Sequence, residues 1–596
     1  MRLVKKFILF ITFFSSIQLF GQNEFMAKEY LQEGAFEKAK SIYEKLYEKS
    51  PHRWDFVVGL IESNQQLELY ADAEKTLIDY LGKSYSQPAG YVLLGQNYIL
   101  QQQQEKAYKS FEKAIEYIEI NPNYIYNIAK YFEQFNQLDF AIKAYQLASK
   151  GNDKLNFDYQ IASLFGQQGN LPKMFEAYFS LIESNPSFLY RVQRNLNEFI
   201  TDSPENEANV IFRKQLLKNA QTQPNVLWNQ LLSWLFVQQK EFQKAFAQEK
   251  AVYNRFKTDF SGIMEIASMS YENQDDEVAK QAYQFVIDNA FFADDAISAH
   301  LKLLEIKQSQ TKPEWTKIQS EYETLLNQYG RSPESLNLQL AYANFIAFYI
   351  NQSTKAIDFL KKTLLLDLNL YQSGRVKMVL GDILVYQEKF NEALIYYSQI
   401  ESQLKNDVMA QDARFKIAKT SFYKGDFDWA QTQLKVLKSS YTQLIANDAL
   451  QLHLLISELS EDGTLHIALK KFARADWLAF KKKPQEAIGL LEDILNQHAQ
   501  ENIIDNTLYR QAQLYELTNQ PTLAEKNYQQ MIQNYPDELL IDEAYFSLAK
   551  LYINILNEPE KAKPLLEKII FEHEDSIHFT DAKRIYRTLR GDTTFN

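Results

Sequence analysis

Cysteine is absent from this chain of 596 residues, and glycine and proline are scarce, at 17 and 14 residues. The absence of cysteine excludes disulfides, thiol catalysis, zinc sites with cysteine ligands and a lipid anchor on an N-terminal cysteine. Scarce glycine and proline leave few residues for turns and strand ends, which favours long helices joined by short connections. Because aromatic residues make up 14% of the chain, we expect an all-α protein with many small packed layers rather than a disordered one.

Catalytic motifs are also absent from the sequence. It contains no glycine-rich phosphate-binding loop, no Gly-x-Ser-x-Gly and no His-Glu-x-x-His. Only His573 and His578 lie close together among the histidines, and with the acidic residues of 572–575 they form a candidate metal site. Since nothing fixes the ligand geometry there, we interpret the segment as solvated charge before a helix. We predict no catalytic residues, no metal site and no cofactor.

Two pairs of adjacent carboxylates are the remaining candidates for acid–base chemistry. Asp275/Asp276 and Asp294/Asp295 lie in predicted turns or where helices are predicted to begin. Acidic side chains favour the N-terminus of a helix because the helix dipole is positive there. We therefore interpret both pairs as helix-capping residues.

The charge pattern disfavours nucleic acid as a partner. The formal net charge is −12, and basic and acidic residues interleave along the predicted helices, as in the segment 37–40. Non-specific binding to phosphates needs clustered lysine and arginine. We expect no nucleic-acid partner.

The first 22 residues have the composition of a secretory signal peptide. Three basic residues among the first six precede an apolar stretch from Phe7 to Phe20, which Ser15 and Ser16 interrupt. A membrane span needs about 20 apolar residues, so we expect a cleaved signal rather than a retained anchor. The mature protein then begins near Gln22 or Asn23 and has no integral membrane span. We expect an exported protein that is periplasmic, associated with the outer membrane, or secreted.

Compact residues recur in pairs along the chain. The two members of a pair are twelve residues apart, and the first pairs follow one another at an interval of 34 residues. These pairs are Ala27/Ala39, Ile61/Ala73, Gly95/Ala107 and Ala129/Ala141. A period of this length indicates stacked helical hairpins, in which each unit is too small to bury its own apolar face and packs on its neighbours.

The segment Gln87–Pro122 has the clearest pattern. Gly95 and Tyr98 are predicted on one helix and Ala107 and Phe111 on the next, with the turn inside the polar run between them. The spacing places each set on one helical face. In this combination of small and aromatic residues the chain resembles the tetratricopeptide repeat family. The resemblance implies an all-α, right-handed α-solenoid of helix–turn–helix repeats.

Twelve such units are recognisable, and they suggest a division of the chain. After the first four, the units centre on Ala162/Met174, Ser233/Ala245, Ala267/Ala279, Gly381/Ala393, Ala418/Ala430, Ala475/Ala487, Ala512/Ala524 and Ala549/Ala562. The last pair is one residue too long, which predicts a longer turn at Leu556–Glu560. We also predict a capping helix with Thr580 as its N-cap and an apolar face at Ala582, Ile585, Tyr586 and Leu589.

The resulting segments are a signal peptide (1–22), an N-terminal array (23–186), an irregular helical spacer (187–224), a repeat pair (225–289), degenerate helical repeats (290–366), a second repeat pair (367–439), a spacer helix (440–465), a C-terminal array (466–570) and a capping helix with tail (571–596).

In this family the first helix of each hairpin lines a concave groove. By that resemblance the candidate peptide-binding residues are Tyr126, Tyr159, Trp234, Met264, Met378, Phe415, Phe472, Tyr509 and Phe546. Aromatic and thioether side chains suit an extended or helical apolar peptide. Family members that bind a C-terminal carboxylate carry lysine and asparagine where this chain has Glu24 and Lys28, so we do not expect that mode of binding.

These observations predict a non-catalytic scaffold or adaptor of the bacterial cell envelope that binds other proteins. An alternative is a protein associated with the cell wall or with glycans, whose groove aromatics stack on sugar rings; Trp234 would report such binding. A third hypothesis, an enzyme within 290–366, predicts a sizeable polar pocket with a perturbed acid in that interval.

Overall fold

The computed structural model describes residues 23–152, 154–257, 259–405, 407–437, 443–460 and 466–591. Within these ranges the chain consists of helices and connecting turns, without a strand, and the prediction of an all-α fold is confirmed. The chain forms two compact units, Met1–Ala282 and Tyr283–Asn596, and the division falls inside a helix. The predicted signal peptide lies outside the described residues.

The first unit is a series of antiparallel helical hairpins. Its helices are α1 (23–32), α2 (Phe36–Lys49), α3 (Trp54–Gln66), α4 (Tyr70–Leu81), α5 (Gly90–Leu100), α6 (Gln104–Ile120), α7 (Ile125–Gln134), α8 (Leu138–Gly151), α9 (Asp158–Gln167), α10 (Leu171–Ser184), α11 (Leu189–Leu196), α12 (Glu207–Thr222), α13 (Val226–Gln238), α14 (Phe242–Phe256), α15 (Ser261–Glu272) and α16 (Asp276–Asn289), which crosses the division. Short 3₁₀ turns at Pro122–Tyr124 and Pro186–Phe188 precede α7 and α11.

The second unit continues with the same kind of hairpin and one additional helix. Its helices are α17 (Ala293–Gln308), α18 (Trp315–Tyr329), α19 (Leu336–Phe348), α20 (Ser353–Thr363), α21 (Leu370–Tyr386), α22 (Phe390–Gln403), α23 (Val408–Lys424), α24 (Phe427–Leu437), α25 (Gln443–Ser460), α26 (Ile467–Phe480), α27 (Pro484–Gln497), α28 (Ile504–Leu517), α29 (Pro521–Asn534), α30 (Ile541–Asn554), α31 (Pro559–Glu572) and α32 (Phe579–Arg590). The additional helix is α25. It packs on α24, yet α23 also contacts α26 directly.

The compact residues are needed where an aromatic ring of one helix lies against the backbone of another. A Cβ atom added to Gly95 would lie 2.2 Å from the ring of Phe111, and one added to Gly381 would lie 2.4 Å from the ring of Tyr397. Both rings are buried. The helices therefore approach closely only because these positions lack a side chain, which explains the recurring pairs.

In eleven of the twelve units with a recurring pair, the hairpin turn contains a residue in the left-handed region seven positions after the first residue of the pair. Gln102 (φ 60°), Asn136 (φ 54°) and Glu388 (φ 63°) occupy this position in their units, and glycine does so in others, such as Gly425 (φ 85°). Residues other than glycine are less stable in this conformation, because their Cβ atom lies too close to the following carbonyl oxygen. Non-glycine residues nevertheless make most of these turns, so many hairpins coexist with few glycines.

The C-terminal predictions need two corrections. The last hairpin does have an extra residue, since the left-handed residue Asn557 comes eight positions after Ala549, but Pro559 and Glu560 already belong to α31. The N-cap position of α32 is His578 and not Thr580, which lies in the first turn of the helix. A turn from Ser576 to Phe579 starts the helix earlier than the sequence indicated.

The predicted apolar face of α32 is confirmed. Ala582 is buried, and the other predicted members, Ile585, Tyr586 and Leu589, pack against the C-terminal core cluster. The paired carboxylates also lie at helix starts. Asp276 begins α16, and both acids of the second pair lie in the first turn of α17.

Candidate partner-binding groove

The predicted groove residues differ widely in exposure. Tyr126 is exposed, whereas Phe472 and Phe546 are buried; the other six are half-buried. Those in the first unit pack against neighbouring side chains. The guanidinium of Arg191 lies 4.0 Å from the ring of Tyr159, and Trp234 meets Phe212 edge-on with ring centres 6.1 Å apart.

Three of the predicted residues come together in the second unit, around two adjoining cavities of about 770 and 280 Å³. Phe415 lines both cavities, and Phe472 and Tyr509 line the smaller one. The walls come mainly from α21, α23, α26 and α28, with α25 closing the smaller cavity. We call these two cavities the C-terminal groove. Met378 and Phe546 are not among its lining residues.

An ion triad separates the two cavities. The Asp476 carboxylate of α26 accepts a hydrogen bond from Arg510 Nη2 of α28 at 2.5 Å and lies 3.4 Å from Lys419 Nζ of α23. Tyr423 donates its hydroxyl to the same carboxylate at 3.4 Å. Burial alone would raise the pKa of Asp476, but the two cations outweigh it and hold the pKa below its usual range. One carboxylate thus joins three helices.

A second charged cluster lies at the α21 side of the larger cavity. Asp382 accepts hydrogen bonds from Tyr397 Oη at 2.6 Å and from Lys416 Nζ at 2.7 Å. Burial and the adjacent Asp382 raise the pKa of Tyr397 well above its ordinary value. Asp412 lines the cavity beside this cluster and forms no ion pair with the residues that the structure describes, and burial raises the pKa of its carboxyl group.

Helix α26 is held in place by its tryptophan. Trp477 Nε1 donates a buried hydrogen bond of 2.9 Å to the carbonyl of Val385 in α21. Arg474 lies 3.9 Å over the Trp477 ring and pairs with Glu388 at 2.5 Å. These contacts place α26 against α21 as well as α23, so Asp476, one residue before the tryptophan, points into the groove.

The charged groove residues were missed by the sequence analysis, although a signal for them was present. Asp382, Lys419 and Asp476 each follow directly after the compact residue of their unit, at the position that gave Trp234 in an earlier unit. Only apolar side chains at the inward positions were predicted to bind. The charges at this position are negative, positive and negative in these three units, and the next unit has the uncharged Gln513 there.

Two hypotheses from the sequence, a metal site near His573 and His578 and an enzyme within 290–366, concern regions that the structure describes. His578 Nε2 lies 2.8 Å from Glu543 and its ring stacks on Phe546, whereas His573 packs beside Tyr545. Among the described residues no group of three acidic or histidine side chains is arranged to hold a metal ion.

The enzyme hypothesis predicted a polar pocket with a perturbed acid within 290–366. This interval folds into two hairpins. The pocket at its α19–α20 turn has a volume of about 370 Å³, and no carboxylate lines it.

Two segments match the tetratricopeptide repeat family: residues 88–121, which include α5 and α6, and residues 506–538, which include α28 and α29. The chain contains tetratricopeptide repeats. No curated protein matches this tetratricopeptide repeat chain in sequence. Tetratricopeptide repeats support protein–protein interaction, and this chain is accordingly an interaction scaffold of that class; proteins of the class are generally non-catalytic.

Several solved structures resemble this tetratricopeptide repeat protein. A chain of the Naa15/Naa10 structure with bound HypK-THB is 12% identical, with 91% of this chain and 88% of that chain covered and a TM-score of 0.35. A chain of the Cut9–Hcn1 hetero-tetramer of the APC/C is 12% identical, with 88% and 95% covered and a TM-score of 0.26. A tetratricopeptide repeat protein from Parabacteroides merdae is 13% identical, with 50% and 99% covered and a TM-score of 0.25.

Helices span a bilayer only when they are both long and apolar. Across the described ranges, none combines enough length with enough apolar character to span a membrane.

Proposed function

We propose that this protein is a non-catalytic scaffold of the bacterial cell envelope and that it binds a segment of a partner protein in the C-terminal groove. The observation that carries the proposal is the pair of adjoining cavities between successive first helices of the repeats. Their volumes, about 770 and 280 Å³, are comparable to those of ligand sites in proteins. Two adjoining cavities of this size together accommodate several side chains of a bound segment.

The chemistry of the groove rim supports a protein partner. Leu517 at the larger cavity and Leu539 at the smaller one are 71% and 53% exposed. Phe480 adds a partly exposed ring to the larger cavity. Exposed apolar side chains that border a concave, partly polar surface are typical of protein interaction sites.

Site-specific photo-crosslinking in cells tests the groove. Gln513 lines both cavities, and we propose to replace it with p-benzoylphenylalanine. Asp493, exposed on the second helix of a hairpin, is the matched control position. We expect protein adducts from position 513 that are absent from position 493. Adducts that are identical at both positions, or absent from position 513, would refute binding in the groove.

The export part of the proposal rests on the basic and apolar pattern of residues 1–22. Cell fractionation with determination of the mature N-terminus tests it separately. We expect a processed chain that begins near Gln22 in the envelope fraction, and retention in the cytoplasm when residues 2–20 are deleted. An unprocessed cytoplasmic chain would contradict the envelope role without affecting the groove.

A further inference from the structure

The C-terminal groove has more negative than positive groups. Six carboxylates and three cations line its two cavities. Each cation is already paired, because Lys416 binds Asp382 at 2.7 Å while Lys419 and Arg510 both bind Asp476. The cations therefore offer little free positive charge to a partner.

Four of the six carboxylates form no ion pair with any described residue. One of them, Glu516, accepts a hydrogen bond from Tyr528 Oη. The other three are those of Asp412, which is half-buried, Asp448, which is exposed at the edge of the smaller cavity, and Asp505. Asp505 is 4% exposed, and its oxygens accept hydrogen bonds from its own backbone and from Asn506, whose Nδ2 lies 3.1 Å away. Burial raises the pKa of all three carboxyl groups. For Asp412 the opposing influence of Lys416 is too weak to cancel this effect.

Buried charge without a counter-ion costs stability, and a purely structural role would be met better by a neutral side chain of similar size. Lysine and arginine carry an apolar stem and a cationic head. Such a side chain matches what the groove offers, since its stem packs on rings such as Phe415 and Tyr509 while its head meets a carboxylate. An acidic segment would instead face four carboxylates without a counter-ion.

We infer that the C-terminal groove selects a partner segment in which lysine or arginine side chains alternate with apolar ones. This inference rests on the proposed function, because it names the partner class for the same groove. Its physical basis is charge complementarity: a bound cation supplies the counter-ion that Asp412, Asp448 and Asp505 lack within the described chain.

Panning a random peptide library against the purified full-length protein tests the inference. We expect the enriched peptides to contain lysine or arginine next to apolar residues. The double variant Asp412→Asn/Asp505→Asn should weaken their binding about tenfold for each carboxylate removed. Asp448→Asn provides an independent second variant if the double variant is poorly folded. The variants are expected to have unchanged or higher melting temperatures, because each loses carboxylates that have no counter-ion within the described chain and, at Asp505, a buried one.

The matched control is Asp358→Asn/Asp493→Asn, which removes the same charge from exposed positions of α20 and α27 and should leave peptide affinity unchanged. Enrichment of neutral or acidic peptides that still crosslink at Gln513 would overturn the basic-partner inference and leave the proposed function standing. Equal weakening by the groove and control variants would also overturn it. If no enriched peptide crosslinks at Gln513, the inference and the groove-binding proposal both fail.

Discussion

Asp476 joins three helices through the charge of its side chain. Its side chain is nearly buried. It accepts hydrogen bonds from Arg510 of α28 and Tyr423 of α23, and it forms an ion pair with Lys419 of α23. A buried carboxylate is tolerated when its ion pairs and hydrogen bonds offset the free energy lost with its hydration. Removing its charge leaves the partner cations without a counter-ion. The two cations are themselves only partly buried, which moderates that cost.

We predict that Asp476→Asn lowers the free energy of unfolding by about 2 kcal/mol at neutral pH. The pKa of Asp476 is depressed in the folded protein, so its stabilisation is present above the ordinary aspartate pKa and disappears as the pH falls through the folded value. Denaturant unfolding at pH 7 and in acid measures both effects. The difference between wild type and variant should shrink in acid, and a difference that does not change with pH would contradict the assignment.

Asp493→Asn is the control for this residue, because the side chain lies exposed on α27. Its effect should stay within about 0.5 kcal/mol at every pH.

At the scale of the element, the hairpin turn with a left-handed residue is a structural feature that recurs along the described chain. Gly425 ends α23 in the left-handed conformation, with φ 85° and ψ 17°. Equivalent turns use residues such as Gln102 or Asn519, so glycine is helpful there without being obligatory. The fold tolerates the cost because packing of the flanking helices over-determines the turn.

We predict that Gly425→Ala destabilises the protein by about 1 kcal/mol, since an L-residue is strained in the left-handed region. Gly489, inside α27, is the matched control. A Cβ atom there meets no other atom within 4 Å, so Gly489→Ala should stabilise by about 0.5–1 kcal/mol. Thermal unfolding of both variants gives the comparison, and two shifts of the same sign would refute it.

Local features of the elements were predictable from sequence because they depend on neighbours in the chain. The approach of Gly95 to Phe111 involves two helices joined by one short turn, and its small–aromatic spacing is visible in sequence. The bond from Trp477 to the Val385 carbonyl joins residues 92 positions apart and has no such local signal. The position of Asp476 in the groove depends on that distant contact, which is why the ion triad was not anticipated.

At the scale of the whole molecule, stability is expected to be distributed along the chain. In a helical-repeat protein each repeat contacts its neighbours, so damage to one repeat spreads over a limited distance. The buried side chain of Leu566 in α31 belongs to a core cluster formed by α28–α32, whereas the buried Phe111 in α6 belongs to a cluster in the first unit. These two residues allow the range of cooperativity to be tested from opposite ends.

We predict that Leu566→Ala removes about 2–5 kcal/mol locally and accelerates amide hydrogen exchange in α30, α31 and α32 while leaving α5–α8 protected. Phe111→Ala should produce the reverse pattern, with a comparable local cost of about 3–5 kcal/mol. Hydrogen-exchange mass spectrometry resolves these segments in the intact chain. A uniform loss of protection along the chain in either variant would show that the repeats unfold as one cooperative unit, because damage in one array would then have reached the other.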